Sequence, residues 1–406
     1  MSDIHTIPRG NKMKNILLSS AAIALLAGAA SAEVTWSGDA EIGYNDDVED
    51  GFYYDAGLYV NLSQELNNGW TASASLDVDL ESSADDTFSM GDVDTSDWVL
   101  SISNDMFGLS FGDVDTAYAS FSGVSALYDN DLFAPADAAD DFEEIYDTTG
   151  DGEGDDGATA GILLTATYGD FSAAASGIVI DEFTEAGGIY TAVDKSNGDI
   201  EYGQLALAYD FGMFNAGLLY AEDAVNLVAD DENMTVLSLG AAFAGADFGF
   251  SYMDTDDVTG FGLDVSYPVG PVTLGAYYVS YDFDSATGVT EDDAYGVSVD
   301  YADGPITVAA YYEEILGEEE YAVEGAYDFG MGLVVTAGYI DGDDTDDNDF
   351  ASYIVAEYDL GGGASFLASY ADATNYDESG DLDDIDTGVN GYELNYGATL
   401  ALSFEF

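Results

Sequence analysis

Alternation of apolar and polar residues runs through most of the chain from residue 33 onward, and it restricts the fold more than any other feature. In the closing stretch, Tyr392 to Phe406, every second residue is apolar and most of the residues between them are polar. Successive side chains of a β-strand point to opposite faces, so this stretch has one apolar and one polar face. Its length exceeds the ~9–11 residues that a tilted strand needs to cross a bilayer.

Hairpins of two such runs recur along the chain. The turn Asn67-Asn68-Gly69 joins one pair, and Asn-Gly between alternating runs is a strong hairpin signal. Short turns alternate with long acidic connections, as in outer-membrane barrels. The sequence therefore predicts an all-β fold, a transmembrane antiparallel up-and-down β-barrel of 16–20 strands, 20 by count of the runs.

Two other folds also alternate, namely a soluble β-sandwich and a secreted solenoid. Aromatic residues near the strand ends, such as Tyr209, Phe211 and Phe404, favour the barrel, because aromatic rings suit the boundary between water and lipid. Carboxylates opposite the apolar positions fit a water-lined interior. A closed barrel also pairs every backbone group within the membrane.

The first 32 residues have the pattern of a secretory signal. Lys12 and Lys14 precede an apolar run, and Ala30-Ser31-Ala32 supplies small residues for cleavage. We expect residues 1–32 to be an N-terminal extension and signal peptide cleaved after Ala32, with Met13 as an alternative start. A retained anchor is the other interpretation. Residues 33–406 then form a single β-barrel domain exported through the periplasm to the outer membrane.

Charge and composition exclude several functions. The chain has 82 acidic and 4 basic residues, a formal net charge of −78 and no cysteine, and Lys195 is the one basic residue after residue 32. Nucleophile pairs that depend on histidine or cysteine are absent, since the one histidine is His5. Nucleic-acid binding is disfavoured by the charge. We therefore expect no enzyme and no required cofactor.

Three places also resemble a known family, the Rhodobacter-type porins of Gram-negative outer membranes. They are Glu33-Val34-Thr35-Trp36-Ser37-Gly38-Asp39-Ala40, Tyr358-Asp359-Leu360-Gly361-Gly362-Gly363-Ala364-Ser365 and the closing Phe404-Glu405-Phe406. The resemblance implies a diffusion porin that forms a homotrimer among outer-membrane lipid and lipopolysaccharide. It also implies that Phe406 is an assembly signal for the barrel assembly machinery.

The resemblance further implies that the third long connection folds into the lumen as a constriction. Here that connection is 114–157, and an outward surface loop is the alternative. Its candidate constriction residues are acidic: Asp129, Asp131, Asp137, Asp140, Asp141, Glu143 and Glu144. Two features depart from the family, which usually has about sixteen strands and sets basic wall residues against acidic loop residues. With Lys195 alone, the second arrangement does not carry over.

Strand parity places many carboxylates on the lumen face. They are Asp39, Glu41, Asp55, Asp77, Asp79, Asp264, Asp300, Glu324 and Glu393. Rings of Asp and Glu favour cations in a pore, and a low-dielectric channel concentrates them. We predict passive, cation-selective passage of ions and small hydrophilic solutes. General acidity for solubility in a saline habitat is the alternative explanation.

Calcium binding is a second interpretation of the acidic residues. Acidic residues in a glycine-rich run offer the oxygen ligands that calcium prefers, although their spacing differs from the EF-hand loop. The candidates are Asp147, Asp151, Glu153, Asp155 and Asp156. A solvated acidic loop is the competing interpretation of this run. The alternative function of another class is a secreted or surface-attached, calcium-stabilised structural β protein.

Overall fold

A computed structural model describes most of the chain after residue 32. It covers residues 33–46, 51–66, 68–81, 93–94, 98–124, 127, 159–185, 190–195, 200–225, 232–255, 258–283, 293–315, 317–344, 347–373, 385–386, 392–394 and 396–406. The expected signal peptide, residues 1–32, lies outside the described residues. Within the described residues, no helix combines the length and the hydropathy of a membrane span.

The described residues form 24 strands. Their bounds are β1 Glu33–Asn45, β2 Phe52–Glu65, β3 Thr71–Glu81, β4 Val93–Asp94, β5 Trp98–Ser103, β6 Phe107–Gly112, β7 Thr159–Tyr168, β8 Phe171–Glu185, β9 Tyr190–Lys195, β10 Glu201–Asp210, β11 Phe214–Val225, β12 Glu232–Phe243, β13 Ala246–Asp254, β14 Val258–Val269, β15 Val272–Phe283, β16 Asp293–Asp303, β17 Ile306–Ile315, β18 Glu318–Gly330, β19 Leu333–Asp344, β20 Asp347–Asp359, β21 Ala364–Ala373, β22 Ile385–Asp386, β23 Glu393–Leu394 and β24 Gly397–Glu405.

Twenty of these strands close into one antiparallel barrel, which confirms the predicted fold class and strand count. Each wall strand pairs with the next wall strand along the chain, and β24 closes the wall against β1 from Asp39↔Glu405 to Asn45↔Thr399. Backbone hydrogen bonds of 2.8 and 2.9 Å between Gly38 and Phe406 extend this seam. The remaining strands are accessory: β4 pairs with β3, β9 with β8, and β22 with β23.

The wall strands are long enough to cross a membrane. Its strands have 9 to 15 residues, apart from β5 and β6 with 6 each. At ~3.3 Å per residue and a tilt of ~45°, twelve residues span about 28 Å, which matches the apolar band of ~25 Å on such barrels. The outward positions are apolar and exposed, as at Ile42 and Leu239, where 55% and 56% of the surface is accessible.

Short turns and long connections lie at opposite ends of the barrel. The turns at 211–213, 244–245 and 331–332 join hairpins at one end, and the connections at 113–158 and 374–396 leave from the other. In outer-membrane barrels, the short turns face the periplasm and the longer loops face outward.

The closing stretch corrects one expectation. Tyr392 to Phe406 is not a single wall strand, because β24 begins only at Gly397, whose φ of +88° turns the backbone out of the strand conformation. Glu393 therefore belongs to the short hairpin of β22 and β23 and not to the wall, contrary to its predicted position on the lumen face of a strand. The alternation of apolar and polar residues continues across Gly397 in the sequence, but the wall strand does not extend to the residues before it.

Candidate functional site

The chain turns into the lumen directly after β6. Gly112 has a φ of +121°, and a Cβ there would lie 2.0 Å from the carbonyl oxygen of Trp98, so glycine is needed at this turn. Residues 114–124 and 127 then run along the inner wall. This part of the expected constriction connection is folded inward, as predicted.

Wall side chains hold this inward segment by its backbone. The amide N–H groups of Ala117, Tyr118 and Val124 donate to Ser176 Oγ at 2.8 Å, Gln204 Oε1 at 2.9 Å and Ser251 Oγ at 2.8 Å. The hydroxyls of Ser238 and Tyr281 donate to the carbonyl oxygens of Ser122 at 2.9 Å and Leu127 at 3.2 Å. The wall thus supplies both acceptors and donors to a buried backbone, which would otherwise be costly to desolvate.

An apolar layer lies beneath the same segment. Leu127 is fully buried, and a Cβ on Gly260 would lie 2.8 Å from Leu127 Cδ1, so the leucine side chain lies against a glycine of the wall. Gly262 is covered in the same way by Val124. The wall residues in this apolar cluster include Ala174, Ala206, Leu219, Ala221, Met234, Val236, Met253, Val258 and Val279.

These apolar lumen residues depart from the expected polar interior. Leu218 and Leu219 on β11, and Val236 and Leu237 on β12, are adjacent apolar pairs that interrupt the alternation. A strand that is covered on both faces is typically apolar on both faces. Adjacent apolar pairs were therefore the sequence signal for the wall on which the inward segment packs.

On the opposite side of the barrel, the lumen wall is acidic. Register places Glu41 beside Asp55 and Asp39 beside Gly57 on β1 and β2, and Tyr59 beside Asp77 on β2 and β3. Glu41 accepts hydrogen bonds from Tyr53 Oη at 3.0 Å and Ser403 Oγ at 2.5 Å. The predicted group Asp39, Glu41, Asp55 and Asp77 is thus brought together on three neighbouring strands. The side chain of Asp79 lies outside the described residues, although its backbone pairs with Gly57.

The other predicted wall carboxylates lie on different strands. Asp264 and Asp300 share the lumen parity on β14 and β16. Glu324 on β18 is buried and accepts a hydrogen bond from Tyr353 Oη at 2.6 Å. Buried carboxylates with tyrosine partners were not anticipated from the sequence.

Tyrosine hydroxyls, and not basic side chains, bind the buried glutamates. Tyr277 Oη donates to Glu313 Oε2 at 3.2 Å, and Tyr311 Oη donates to Glu320. Glu313 and Glu320 face each other across β17 and β18. Hydrogen bonds to a charged acceptor are worth more than neutral ones, about 1.5–3 kcal/mol each. The wall is therefore stabilised without the ion pairs that this composition cannot provide.

Glycines on neighbouring strands make room for these rings. A Cβ on Gly338 would lie 2.2 Å from Tyr353 Cζ, and a Cβ on Gly296 would lie 2.2 Å from Tyr277 Cε1. Each ring therefore lies flat across the glycine directly opposite it in the sheet, the arrangement known as aromatic rescue of glycine.

A second part of the chain also enters the lumen. Leu394 is 2% exposed and packs in a cluster with Tyr353, Val355 and Ala371 on the inner face of β20 and β21. Tyr392 Oη donates to Glu357 Oε2 at 3.1 Å. The pKa of Tyr392 is raised to about 12, mainly by burial and next by the negative charge of Glu357. No separate feature of the sequence predicted this packing, since Tyr392 and Leu394 follow the strand pattern.

The remaining predicted site residues lie outside the described residues. These are the constriction candidates Asp129, Asp131, Asp137, Asp140, Asp141, Glu143 and Glu144, and the calcium candidates Asp147, Asp151, Glu153, Asp155 and Asp156. Among the residues that are described, no three His, Cys, Asp or Glu side chains are grouped so that they could hold a metal ion.

A closed barrel with an apolar exterior, a carboxylate-bearing interior and an inward segment defines an integral membrane channel. The model of the Gram-negative porin family matches residues 19–317, which is most of the chain. The chain belongs to this family, whose members are outer-membrane channels and not enzymes. The secreted structural alternative is accordingly disfavoured.

Solved porin structures are similar to the chain at low identity. One mutant of Rh. blastica porin is 16% identical, with 93% of this chain and 100% of that chain covered and a TM-score of 0.35. A Rhodopseudomonas blastica porin triple mutant gives the same values of 16%, 93%, 100% and 0.35. A porin structure refined at 1.8 Å is 18% identical, with 92% and 100% covered and a TM-score of 0.36. No curated protein matches the chain.

Proposed function

We propose that this porin is a cation-selective diffusion pore for ions and small hydrophilic solutes. The observation that carries the proposal is the acidic arc of β1 to β3, where Asp39, Glu41, Asp55 and Asp77 share the lumen face. After residue 32, Lys195 is the one basic residue available to oppose them. Carboxylates on a low-dielectric wall raise the local concentration of cations and lower that of anions.

Size exclusion is the second part of the proposed mechanism. The anchored residues 114–124 and 127 support an inward position for the whole connection 114–157. On this proposal its acidic residues, from Asp129 to Glu144, face the acidic arc across the passage. A solute then has to fit between the two and to tolerate negative potential on both sides. This differs from the mixed arrangement of basic wall and acidic loop in the family.

Reversal potentials in planar bilayers under a salt gradient test the proposal. We expect a potential of the sign that marks cation preference, and a reduced potential for the double variant Asp55→Asn and Asp77→Asn. The matched control is Glu314→Gln, which removes a carboxylate from the outward face of β17. Anion preference of the unaltered porin would refute the proposal. An equal reduction of the reversal potential in the control would show that the acidic arc does not cause the selectivity.

Assembly and ion binding extend the proposal. We expect a homotrimer among outer-membrane lipid and lipopolysaccharide, inserted by the barrel assembly machinery with Phe406 as a signal, after cleavage behind Ala32. Calcium would bridge like charges of the outer connections and lipopolysaccharide phosphates. Thermal melting of the purified trimer tests this point: chelation of calcium at fixed ionic strength should lower the melting temperature, and an unchanged value would contradict calcium binding.

A further inference from the structure

The lumen contains a second inward segment, consisting of residues 392–394 and 396. Leu394 anchors it in the apolar cluster on β20 and β21, where Ile340, Leu367, Tyr392 and Tyr396 pack around the buried core. Asn45 Nδ2 of β1 donates to the carbonyl oxygen of Tyr396 at 2.8 Å. The segment is therefore attached at three points: an apolar side chain, a phenol hydroxyl and a backbone carbonyl.

This second segment reaches far into the barrel. Glu357, the acceptor for Tyr392, lies two residues before β20 ends at Asp359, next to the short turn 360–363. A long connection leaves a barrel at the opposite end. The hydroxyl of Tyr392 therefore reaches the part of β20 near the short turn, while Leu394 packs beside Tyr353 and Val355 at the middle of the strand, so the segment lies inside the barrel.

The two inward segments occupy different arcs of the wall. The hydrogen bonds of the first go to β8, β10, β12, β13 and β15. Those of the second go to β20 and β1. Strands β16 to β19 separate these two sets of wall strands on one side, and β2 to β7 separate them on the other. Each segment thus projects into the lumen from its own direction.

We propose that residues 392–394 and 396 form a second constriction element, so that solutes pass between two inward segments. This inference rests on the proposed diffusion function and deepens it. Tyr392 and Tyr396 are half-buried, so part of each ring remains accessible on the lumen side. Together with the carboxylate of Glu357, they give this side of the passage an aromatic and acidic surface. The element limits the size of solutes, and small cations are the solutes that it admits best.

Covalent labelling of the lumen provides a direct test, because the chain has no cysteine. The variant Tyr392→Cys would be modified with a positively charged methanethiosulfonate reagent while single-channel conductance is recorded. We expect labelling to lower the conductance in discrete steps, each corresponding to one channel. The matched control is Tyr321→Cys, which replaces a tyrosine that is 45% exposed on the outward face of β18. Labelling of the control should leave the conductance unchanged.

The outcomes separate this inference from the proposed function. If the unaltered porin does not conduct, the diffusion function fails. If it conducts and labelled Tyr392→Cys, verified by mass, keeps its conductance, the second constriction is wrong and the pore remains.

A pair of variants tests the anchor itself. Leu394→Asp places a carboxylate in the apolar cluster and should release the segment and raise the conductance. Should that variant fail to assemble, Tyr392→Phe removes only the hydrogen bond to Glu357 and should raise the conductance by a smaller factor. Unchanged conductance in an assembled Leu394→Asp barrel, or in Tyr392→Phe where the first variant does not fold, would overturn the inference.

Discussion

Truncation of Leu127 to alanine tests how firmly the first inward segment is held. Its side chain is fully buried and lies against Gly260 and Gly262, which have no side chains that could fill the space it leaves. Leucine-to-alanine changes at such sites cost about 2–5 kcal/mol. Since each ~1.4 kcal/mol changes an equilibrium tenfold, the docked population should fall relative to the undocked one by a factor of about 30 to several thousand.

The substitution should destabilise docking of the first inward segment and leave the stability of the barrel unchanged. The wall strands pair with one another, so the segment contributes no wall hydrogen bonds to the closure of β24 on β1. Leu127→Ala should therefore raise single-channel conductance and admit larger uncharged solutes, while the mobility shift of the folded barrel on a denaturing gel stays at the same temperature. The matched control is Leu400→Ala on the outward face, where the leucine is 50% exposed. Conductance that is unchanged in Leu127→Ala, or raised equally by Leu400→Ala, would refute this reasoning.

Three further predictions concern the tyrosine hydrogen bonds. Tyr353→Phe should lower the free energy of unfolding in detergent by about 1.5–3 kcal/mol, because it removes a donor to the buried carboxylate of Glu324. The control Tyr321→Phe, whose hydroxyl binds Asp341 on the outward face, should cost less, and equal losses would contradict the argument. Gly338→Ala should cost about 1–3 kcal/mol in the same denaturant titration, since its Cβ meets the Tyr353 ring at 2.2 Å; a neutral result would show that the ring moves freely. Because the pKa of Tyr392 is raised to about 12, the contribution of its hydroxyl to docking of the second segment is fully present below pH 10 and is lost as pH rises through about 12. Conductance should therefore increase over that interval, and a similar increase in Tyr392→Phe would assign the effect to another group.

The predicted acidic residues illustrate how far sequence parity extends. Asp39, Glu41, Asp55 and Asp77 could be assigned to one face because each lies on a strand with uninterrupted alternation, and register then brings them together. Strand parity does not show, however, how deeply a side chain is buried or which residues it contacts. It could not show that Glu324 is buried beneath Tyr353, because that contact depends on Gly338 on the strand between them.

The sequence by itself determined the barrel, because a hydrophobic period of two is a local property of each strand. It places apolar side chains on the face toward lipid and polar side chains on the face toward water. It also determined the sign of the lumen charge, since after residue 32 the chain carries one lysine against its many carboxylates. Only the tertiary structure decided where the interior is filled. Whether Leu127 and Leu394 meet lipid, water or the inner wall depends on turns at Gly112 and Gly397 and on wall glycines distant in sequence. Packing of that kind is specified by contacts with distant strands, which the hydrophobic period of a segment does not reveal.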